Sequence, residues 1–562
     1  MVSITGAEAF IKSLERENVD TVFGLSGGAI LPICDAFNDS DIRFVLARHE
    51  QGAAHMADGY ARASGRVGVC LATSGPGATN LVTGIATANI DSSPVVAFTG
   101  QVPRDMIGRD AFQEVDIIGV SASITKYNIQ VRSPREVPAA VKAAFHISNT
   151  GRKGSVLVDI PKDIQTSAEE MEFPEEVTFK GYRVFEEPDP RELDWAATLL
   201  SRAQKPMIMA GGGVIASNAS TELLKLAEFM MAPVATTLMG KGAIPSDHLL
   251  YAGGCGMHGT CEANSLIGEA DVLLVVGARF SDRTTGSVQE FSTNSKIVHI
   301  DIDRSEIDKN VETVTRVVGD AKQALKGILR RLEKVREAGS MDTPWIRRMK
   351  EFREQYATPE PRDNPHFKAP SVIKTLRRVL PRDAIVTTEV GQCQMWAALY
   401  FDTYEPRTFL TSGGLGTMGW GFPAAIGAKA ARPDVPVVDI AGDGSFGMTE
   451  NSLATSVEEG LPVIVLILNN RMLGMVAQWQ RLFYGRRYVG VKLGRSPDFV
   501  KLAEAYGAVG VRPGDATELE KAVKEAVDSE VTTVIDVPID PEENVFPMVP
   551  PGKGLKDFLV EA

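Results

Sequence analysis

Short runs of valine, isoleucine and leucine recur along the whole chain, separated by stretches with helical spacing. In order they are FVLA, GVCLATSG, PVVAFTG, SVLVDIP, PMIMAGGG, PVATTLMG, VLLVVGARF, IVHIDID, AIVTTEVG, PVVDIAGDG, VIVLILNN and TVIDVPID. They lack the alternation of a half-exposed strand; strands apolar on both faces belong in parallel sheets covered by helices on each side. The pattern predicts an α/β protein built from doubly wound parallel sheets. Two stretches interrupt it: the charged, aperiodic 167–192, with EEMEFPEEV and FEEPDPRE, and the proline-dense TPEPRDNPHFKAP at 358–370. Proline ends helices and stiffens linkers. The expected organisation is a first domain at 1–165, a linker at 166–189, a central domain at 190–340, a linker at 341–369 and a third domain at 370–562.

Charge and cysteine usage narrow the function classes. The 562 residues carry 72 acidic against 59 basic side chains, a net −13, which argues against a phosphate-backbone footprint and so against nucleic acid as partner. Five cysteines, Cys34, Cys70, Cys255, Cys261 and Cys393, show no CxxC spacing and read as reduced thiols. No apolar run reaches the roughly 18 residues of a membrane span. The opening MVSITGAEAF enters a helical pattern without the basic and apolar regions of a leader. The expectation is a cytoplasmic protein without membrane contact.

The stretch RHEQGAAHMADGYAR, 48–62, looks at first like a zinc-hydrolase helix. That motif needs two imidazoles four residues apart on one face, beside a glutamate. His49 and His55 are six apart, about 600° around a helix at ~100° per residue, so they share no face. Glu50 needs another use.

Candidate chemistry is densest in the third domain. PVVDIAGDGSFGMTENSLATSVEEGLPVIVLILNN reads as strand, glycine turn, helix, strand. A right-handed crossover leaves both strands parallel, with their C-terminal ends on one sheet edge. Asp443 after the first strand and Asn470 after the second can then face one ion, and two oxygen donors suit Mg²⁺. Gly442 and Gly444, with Ser445, let backbone amides and a helix N-terminus approach a diphosphate. In the central domain Gly211, Gly212 and Gly213 make a strand-to-helix turn, by itself a weak nucleotide signal.

GDG followed one crossover later by NN resembles the signature of thiamine-diphosphate enzymes. HEQGAAHMADGYAR, SGPGATN, DAFQE, GSVLVDIPKD, GMHGT, GARFSDR, GQCQMW, GLGTMGWG, GMVAQWQ and FPMVPPGKGL extend the resemblance over essentially the whole chain. Within that family they point to the catalytic subunits of acetohydroxyacid (acetolactate) synthases. The resemblance implies that Asp443, Asn470 and the backbone carbonyl of Met472 hold Mg²⁺, which anchors thiamine diphosphate. Gly391 and Gln392 lie near the diphosphate, and Gly27, Gly28, Pro76 and Asn80 complete the cofactor site. Glu50 hydrogen-bonds the aminopyrimidine and promotes the imino tautomer that takes the C2 proton. Met418, with Gly416, wedges the cofactor into its folded conformation. Cys393 and Ser26 stand where the family usually has histidine and proline.

For the second ketoacid, the resemblance makes Arg283 the carboxylate clamp and Trp479 with Met475 the apolar wall, with Phe112, Gln113 and Lys162 lining the same pocket. Thr237, Leu238, Met257, His258, Gly277, Arg279 and Asp301, with Gly211 to Gly213 and Arg152, resemble an FAD site in which the flavin undergoes no net redox change. The implied reaction is decarboxylation of pyruvate and transfer of the two-carbon unit to a second pyruvate, giving 2-acetolactate, or to 2-ketobutyrate, giving 2-aceto-2-hydroxybutyrate. That is the first common step of valine, leucine and isoleucine biosynthesis. The family architecture pairs the first domain of one subunit with the third of another, which implies a homodimer or homotetramer; a regulatory small subunit would be a separate chain. A flavin-free catabolic synthase, a flavin-linked pyruvate oxidase and an inactive paralogue are the alternatives.

Overall fold

In the computed structural model, which describes residues 2–356, 367–495 and 497–561, every one of the apolar runs becomes a strand in one of three six-stranded parallel sheets. The first sheet has the order Arg43–Leu46, Thr21–Leu25, Gly68–Ala72, Val95–Gln101, Val156–Pro161, Tyr127–Gln130. The central sheet runs Tyr251–Gly254, Val234–Thr236, Pro206–Ala210, Val272–Val276, Lys296–Asp301, Thr315–Val318. The third runs Phe409–Thr411, Ile385–Thr388, Val437–Gly442, Ile464–Asn469, Thr533–Pro538, Val509–Val511. Helices flank each sheet, and interior strands such as Ile464–Asn469 are buried at every residue.

Three features cross the expected boundaries. Ala168–Met171, in the first linker, pairs antiparallel with Val2–Thr5. The 341–369 stretch carries the helix Pro344–Gln355, whose Trp345, Ile346, Met349 and Phe352 enter the central core. The Trp345 indole N–H also donates to the Pro206 carbonyl at 2.9 Å, so the central unit continues through this helix. Residues 357–366 of that stretch lie outside the described residues. Beyond Thr533–Pro538 the chain leaves the third sheet: the Val549 amide donates to the Met257 carbonyl at 2.7 Å, and Val549 and Leu555 join the central core. Proline-rich and aperiodic, this tail shows no local pattern that announces its return.

The first and third domains share one core. The helix Glu50–Ser64 starts at His49, whose ring accepts from the Gln51 amide, and stops at Gly65 in the left-handed region, φ 78°. It lies against Gly421–Ala431, and both helices are rich in alanine and glycine and buried on nearly all sides. The shared core takes Phe23, Val45 and Tyr60 from the first domain and Trp420, Phe422 and Phe446 from the third. His49 is thus a helix cap, and His55 is buried, with burial pushing its imidazole down to about 4. Among the described residues no group of three or more His, Cys, Asp or Glu could hold a metal, and no helix is long and apolar enough to cross a membrane.

Candidate cofactor and active site

The third-domain turn is built by strand register. Gly442 pairs with Leu468 on the adjacent parallel strand, so Asp443 and Asn470 emerge side by side at one sheet edge. Both are buried. The Asn470 side-chain oxygen accepts from the Met472 amide at 3.0 Å, and its nitrogen donates to Gln392 Oε1 at 3.1 Å. Gln392 in turn donates to Gln478 Oε1 and to the Glu543 carbonyl, each at 2.9 Å, which locks the corner. One carboxylate, one side-chain amide and the backbone of a tight turn form a hard-oxygen donor set, which fits Mg²⁺ completed by phosphate and water. Gly442 and Gly444 flank Asp443, and Ser445 donates to the Gly442 carbonyl at 3.2 Å. Cys393 turns its thiol to the Glu389 carbonyl at 3.5 Å; burial first, then Glu389, pushes its pKa up, so it stays a neutral, weak donor.

A cavity of about 1750 Å³ opens where all three domains meet. Ordinary ligand sites measure ~300–1000 Å³, so this one has room for more than one ligand. Gly212, Gly213, Thr237, Leu238, Met257 and His258 line it from the central domain, with Gly277, Arg279, Arg283 and Asp301 beside them. Gly391, Gly416, Met418, Met475 and Trp479 line it from the third. Gly211 sits behind the wall; a Cβ there would lie 2.7 Å from the Gly277 carbonyl carbon, so the glycines let two strand ends touch. Arg152 reaches the wall from the first domain, donating to Ser92 Oγ at 2.9 Å and to Glu306 Oε1 at 2.8 Å.

The cavity's charges are strongly perturbed. Burial, with Asp303 and Glu306 nearby, pushes the Asp301 carboxyl up to about 7. Burial, then the Arg283 cation, pushes His258 down to about 4, so this imidazole is neutral at pH 7. His258 Nε2 and Trp479 Nε1 are buried on the wall without a protein hydrogen-bond partner. Such atoms need a ligand or water to satisfy them, and with the glycine turn they fit a flavin nucleotide. The Arg283 guanidinium lies 5.9 Å over the Trp479 ring and donates to Met257 Sδ at 3.4 Å. Its neighbour Asp282 is 3.8 Å away and exposed, an ion pair worth little in water.

The first-domain residues form a separate cluster. Glu50 is only 6 % exposed and accepts from Asn80 Nδ2 at 2.9 Å. Pro76 opens the helix Pro76–Asn80, and a Cβ on Gly77 would lie 3.3 Å from Glu50 Oε1. Gly27 is pressed on Thr73, while Gly28 faces open space. Gln113 holds a left-handed φ of 60° against Gly75, Phe112 is 87 % exposed, and Lys162 opens the helix Lys162–Thr166. None of Glu50, Asn80, Phe112, Gln113 and Lys162 lines the cavity with Arg283 and Trp479. On one chain the residues expected to complete the pocket therefore fall in two groups, as the expected pairing of the first domain of one subunit with the third of another requires. Sequence reasoning also passed over Arg62, Asp91, Met395 and Val476, which line the cavity. The Asp58–Arg62 spacing of one helical turn was the available signal.

Comparison with known proteins gives three domain matches. Residues 4–120 match the thiamine pyrophosphate enzyme N-terminal TPP binding domain, 193–328 the central domain and 389–537 the C-terminal TPP binding domain. The chain is 51 % identical to a probable acetolactate synthase large subunit of Methanocaldococcus jannaschii, over 99 % of this chain and 95 % of that one. It is 45 % identical to the acetolactate synthase large subunit of Corynebacterium glutamicum, over 99 % and 90 %. It is 43 % identical to the mitochondrial acetolactate synthase catalytic subunit of Saccharomyces cerevisiae, over 99 % and 84 %.

Proposed function

We propose, for a chain that belongs to the thiamine pyrophosphate enzymes and within them to the acetolactate synthase large subunits, that it transfers the two-carbon unit of pyruvate to a second 2-ketoacid, pyruvate or 2-ketobutyrate, in the pathway to valine, leucine and isoleucine. The observation that carries this reading is one shared cavity: Arg283, Met418 and the Met475–Trp479 face of one helix line it from three segments far apart in the chain, and the Arg283 guanidinium lies 5.9 Å over the Trp479 ring. Thiamine diphosphate, when bound, would supply a carbon nucleophile for the pyruvate carbonyl. Asp443, Asn470 and the Met472 carbonyl would hold the Mg²⁺, with Gly442, Gly444, Gly391 and Gln392 beside the diphosphate. Glu50, oriented by Asn80, holds the proton at the aminopyrimidine N1′. Met418 keeps the cofactor folded. Arg283 pairs with the acceptor carboxylate, while Trp479 and Met475 exclude water around its alkyl group. Gly212, Gly213, Thr237, Leu238, His258, Arg279 and Arg152 would hold FAD in the central-domain part of the cavity.

Because the Glu50 cluster and the cavity are separate on one chain, the working site in this reading joins the first domain of one copy to the third domain of another, so a dimer is the smallest active unit. The name "large subunit" carried by relatives adds a separate small regulatory chain to the reading.

The test is an assay of the purified chain with pyruvate, thiamine diphosphate, Mg²⁺ and FAD, scoring acetolactate, with Glu50→Gln alongside. The variant should lose about 10²–10⁴-fold in kcat, the usual contribution of a positioned proton-transfer group. Undiminished activity in the variant, or no acetolactate from folded wild type, overturns the assignment. Purified protein should be yellow, and no electron acceptor should be reduced in step with pyruvate; a colourless or acceptor-reducing protein favours the catabolic or oxidase reading.

A further inference from the structure

We propose that Arg62 is a positioning residue: clamped between Asp58 and Asp91 in the first domain, it sets the 411–420 loop of its own chain and with it Met418. The proposal rests on the reading of Met418 as the wedge that folds the cofactor.

The clamp is buried, with the Asp58 and Asp91 side chains at 0 % and Arg62 at 9 % exposure. Arg62 Nε and Nη2 fork onto the two Asp58 oxygens, both at 2.7 Å, and Nη2 also reaches Asp91 Oδ2 at 2.9 Å. Its remaining nitrogen, Nη1, donates to the Thr411 carbonyl at 2.6 Å, where the loop begins. Asp91 Oδ1 accepts from the Gly414 amide at 2.7 Å and the Leu415 amide at 3.2 Å. Asp58 Oδ2 accepts from the Trp420 indole N–H at 2.8 Å, and the Arg62 guanidinium lies 4.6 Å over that ring.

These contacts depend on one another through charge. Two carboxylates share the Arg62 guanidinium in a buried setting, with the Arg279 cation also acting on Asp91 and the Ser93 hydroxyl on Asp58. The loop adds further donors: two backbone amides for Asp91 and the indole N–H for Asp58. If the loop moved, a buried charged acceptor would lose its donors, a costly change. Met418 stands between the anchors at 415 and 420, in a loop also tied at Thr417 to Thr87 Oγ1, 2.7 Å, and at the Gly419 amide to Glu389 Oε2, 2.7 Å. Within that interval Gly416 holds a left-handed φ of 72°, and a Cβ there would meet nothing within 4 Å. Arg62 follows Glu50 by 12 residues on one helix, about 18 Å along its axis, so the clamp acts far from the Glu50 end.

The experiment is a double-mutant cycle on the Mg²⁺- and thiamine-diphosphate-loaded protein, using Arg62→Lys, Met418→Ala and the pair. Lysine keeps the charge and loses the fork. Readouts are cofactor affinity by tryptophan fluorescence, the near-ultraviolet dichroism of the bound cofactor, kcat at saturating cofactor, KM for pyruvate, and melting temperature. Arg62→Lys should lower cofactor affinity and kcat by about tenfold and move KM for pyruvate by less than about twofold, and the pair should match Met418→Ala within about twofold. Losses that multiply in the pair overturn the proposal, as does a variant with a lowered melting temperature but unchanged affinity, dichroism and kcat. If Arg62→Lys does not fold, Asp91→Asn takes its place in the same cycle with the same expected outcome. Met418→Ala without effect overturns the wedge reading and this proposal together. Affinity and dichroism need no turnover, so a chain that binds cofactor and forms no acetolactate overturns the reaction assigned above while the cycle still decides the role of Arg62.

Discussion

Gly427→Ala should break the joint between the first and third domains. Where Glu50–Ser64 crosses Gly421–Ala431, a Cβ on Gly427 would lie 2.6 Å from the Met56 carbonyl carbon and 2.9 Å from its Cα. Carbon atoms rest ~3.5–4.0 Å apart, so the two helices must separate by roughly 1 Å. The Asp58–Trp420 hydrogen bond spans the same crossing at 2.8 Å. Opened by roughly 1 Å it falls outside bonding range. Overpacking a close-packed core costs about 1–3 kcal/mol, and losing a buried hydrogen bond to a charged group adds about 1.5–3 kcal/mol. The sum, roughly 2.5–6 kcal/mol, corresponds to a fall in apparent melting temperature of about 5–24 °C for domains of this size. The assay is thermal unfolding of wild type, Gly427→Ala and Gly28→Ala, since a methyl group added at Gly28 would meet nothing within 4 Å and that variant should melt like wild type. Gly427→Ala melting within about 2 °C of wild type would refute the reasoning, because the clash leaves no route that spares the crossing.

Three further outcomes follow from the site. Trp479→Leu should shift the acceptor ratio from 2-ketobutyrate towards pyruvate by about 10–200-fold, the worth of a methylene in an apolar pocket, when the two compete in one reaction; an unchanged ratio removes Trp479 from the wall. Asp443→Asn should raise the Mg²⁺ needed for half-maximal cofactor binding at least about tenfold, measured by fluorescence titration, with the melting temperature of the apo-chain little changed. For pH, burial holds His55 at about 4 in the folded state against 6.5. The unfolded chain therefore takes up the proton first, and the stability contributed by neutral His55 is complete above 6.5 and lost as pH falls towards 4. Glu389 and Asp301, both pushed up to about 7 by burial, work in the opposite direction, so the test is a difference. On going from pH 7 to pH 5, His55→Leu should lose less stability than wild type by about 1–2 kcal/mol, and equal losses would refute it.

Where the sequence was legible, the pattern was local. The interior strands announced themselves because both faces are buried and both must be apolar. Most strands without a strong run lie at sheet edges: Tyr127–Gln130, Tyr251–Gly254, Thr315–Val318, Phe409–Thr411 and Val509–Val511. Edge strands pack one neighbour and tolerate polar residues, as the partly exposed Tyr127–Gln130 does. Thr21–Leu25 is the interior exception: Gly24 breaks its apolar run and leaves room for the Phe44 ring. The side-by-side placement of Asp443 and Asn470 was readable because one crossover joins their strands, and register follows from the parallel pairing.

By itself, then, the sequence determined the α/β class, three parallel sheets, the glycine turns at their C-terminal edges and the chemical types available there. These rest on periodicity and local geometry, which are written within a few tens of residues. The tertiary structure decided which of those groups meet. It joined the first and third domains through one glycine- and alanine-lined crossing, and carried the C-terminal tail back to Met257. It also put Arg283 over Trp479, separated Glu50 from the cavity, and pulled Asp91 onto a loop more than three hundred residues away. Such contacts come from whole-domain packing of buried charge and apolar surface, and no local spacing encodes them.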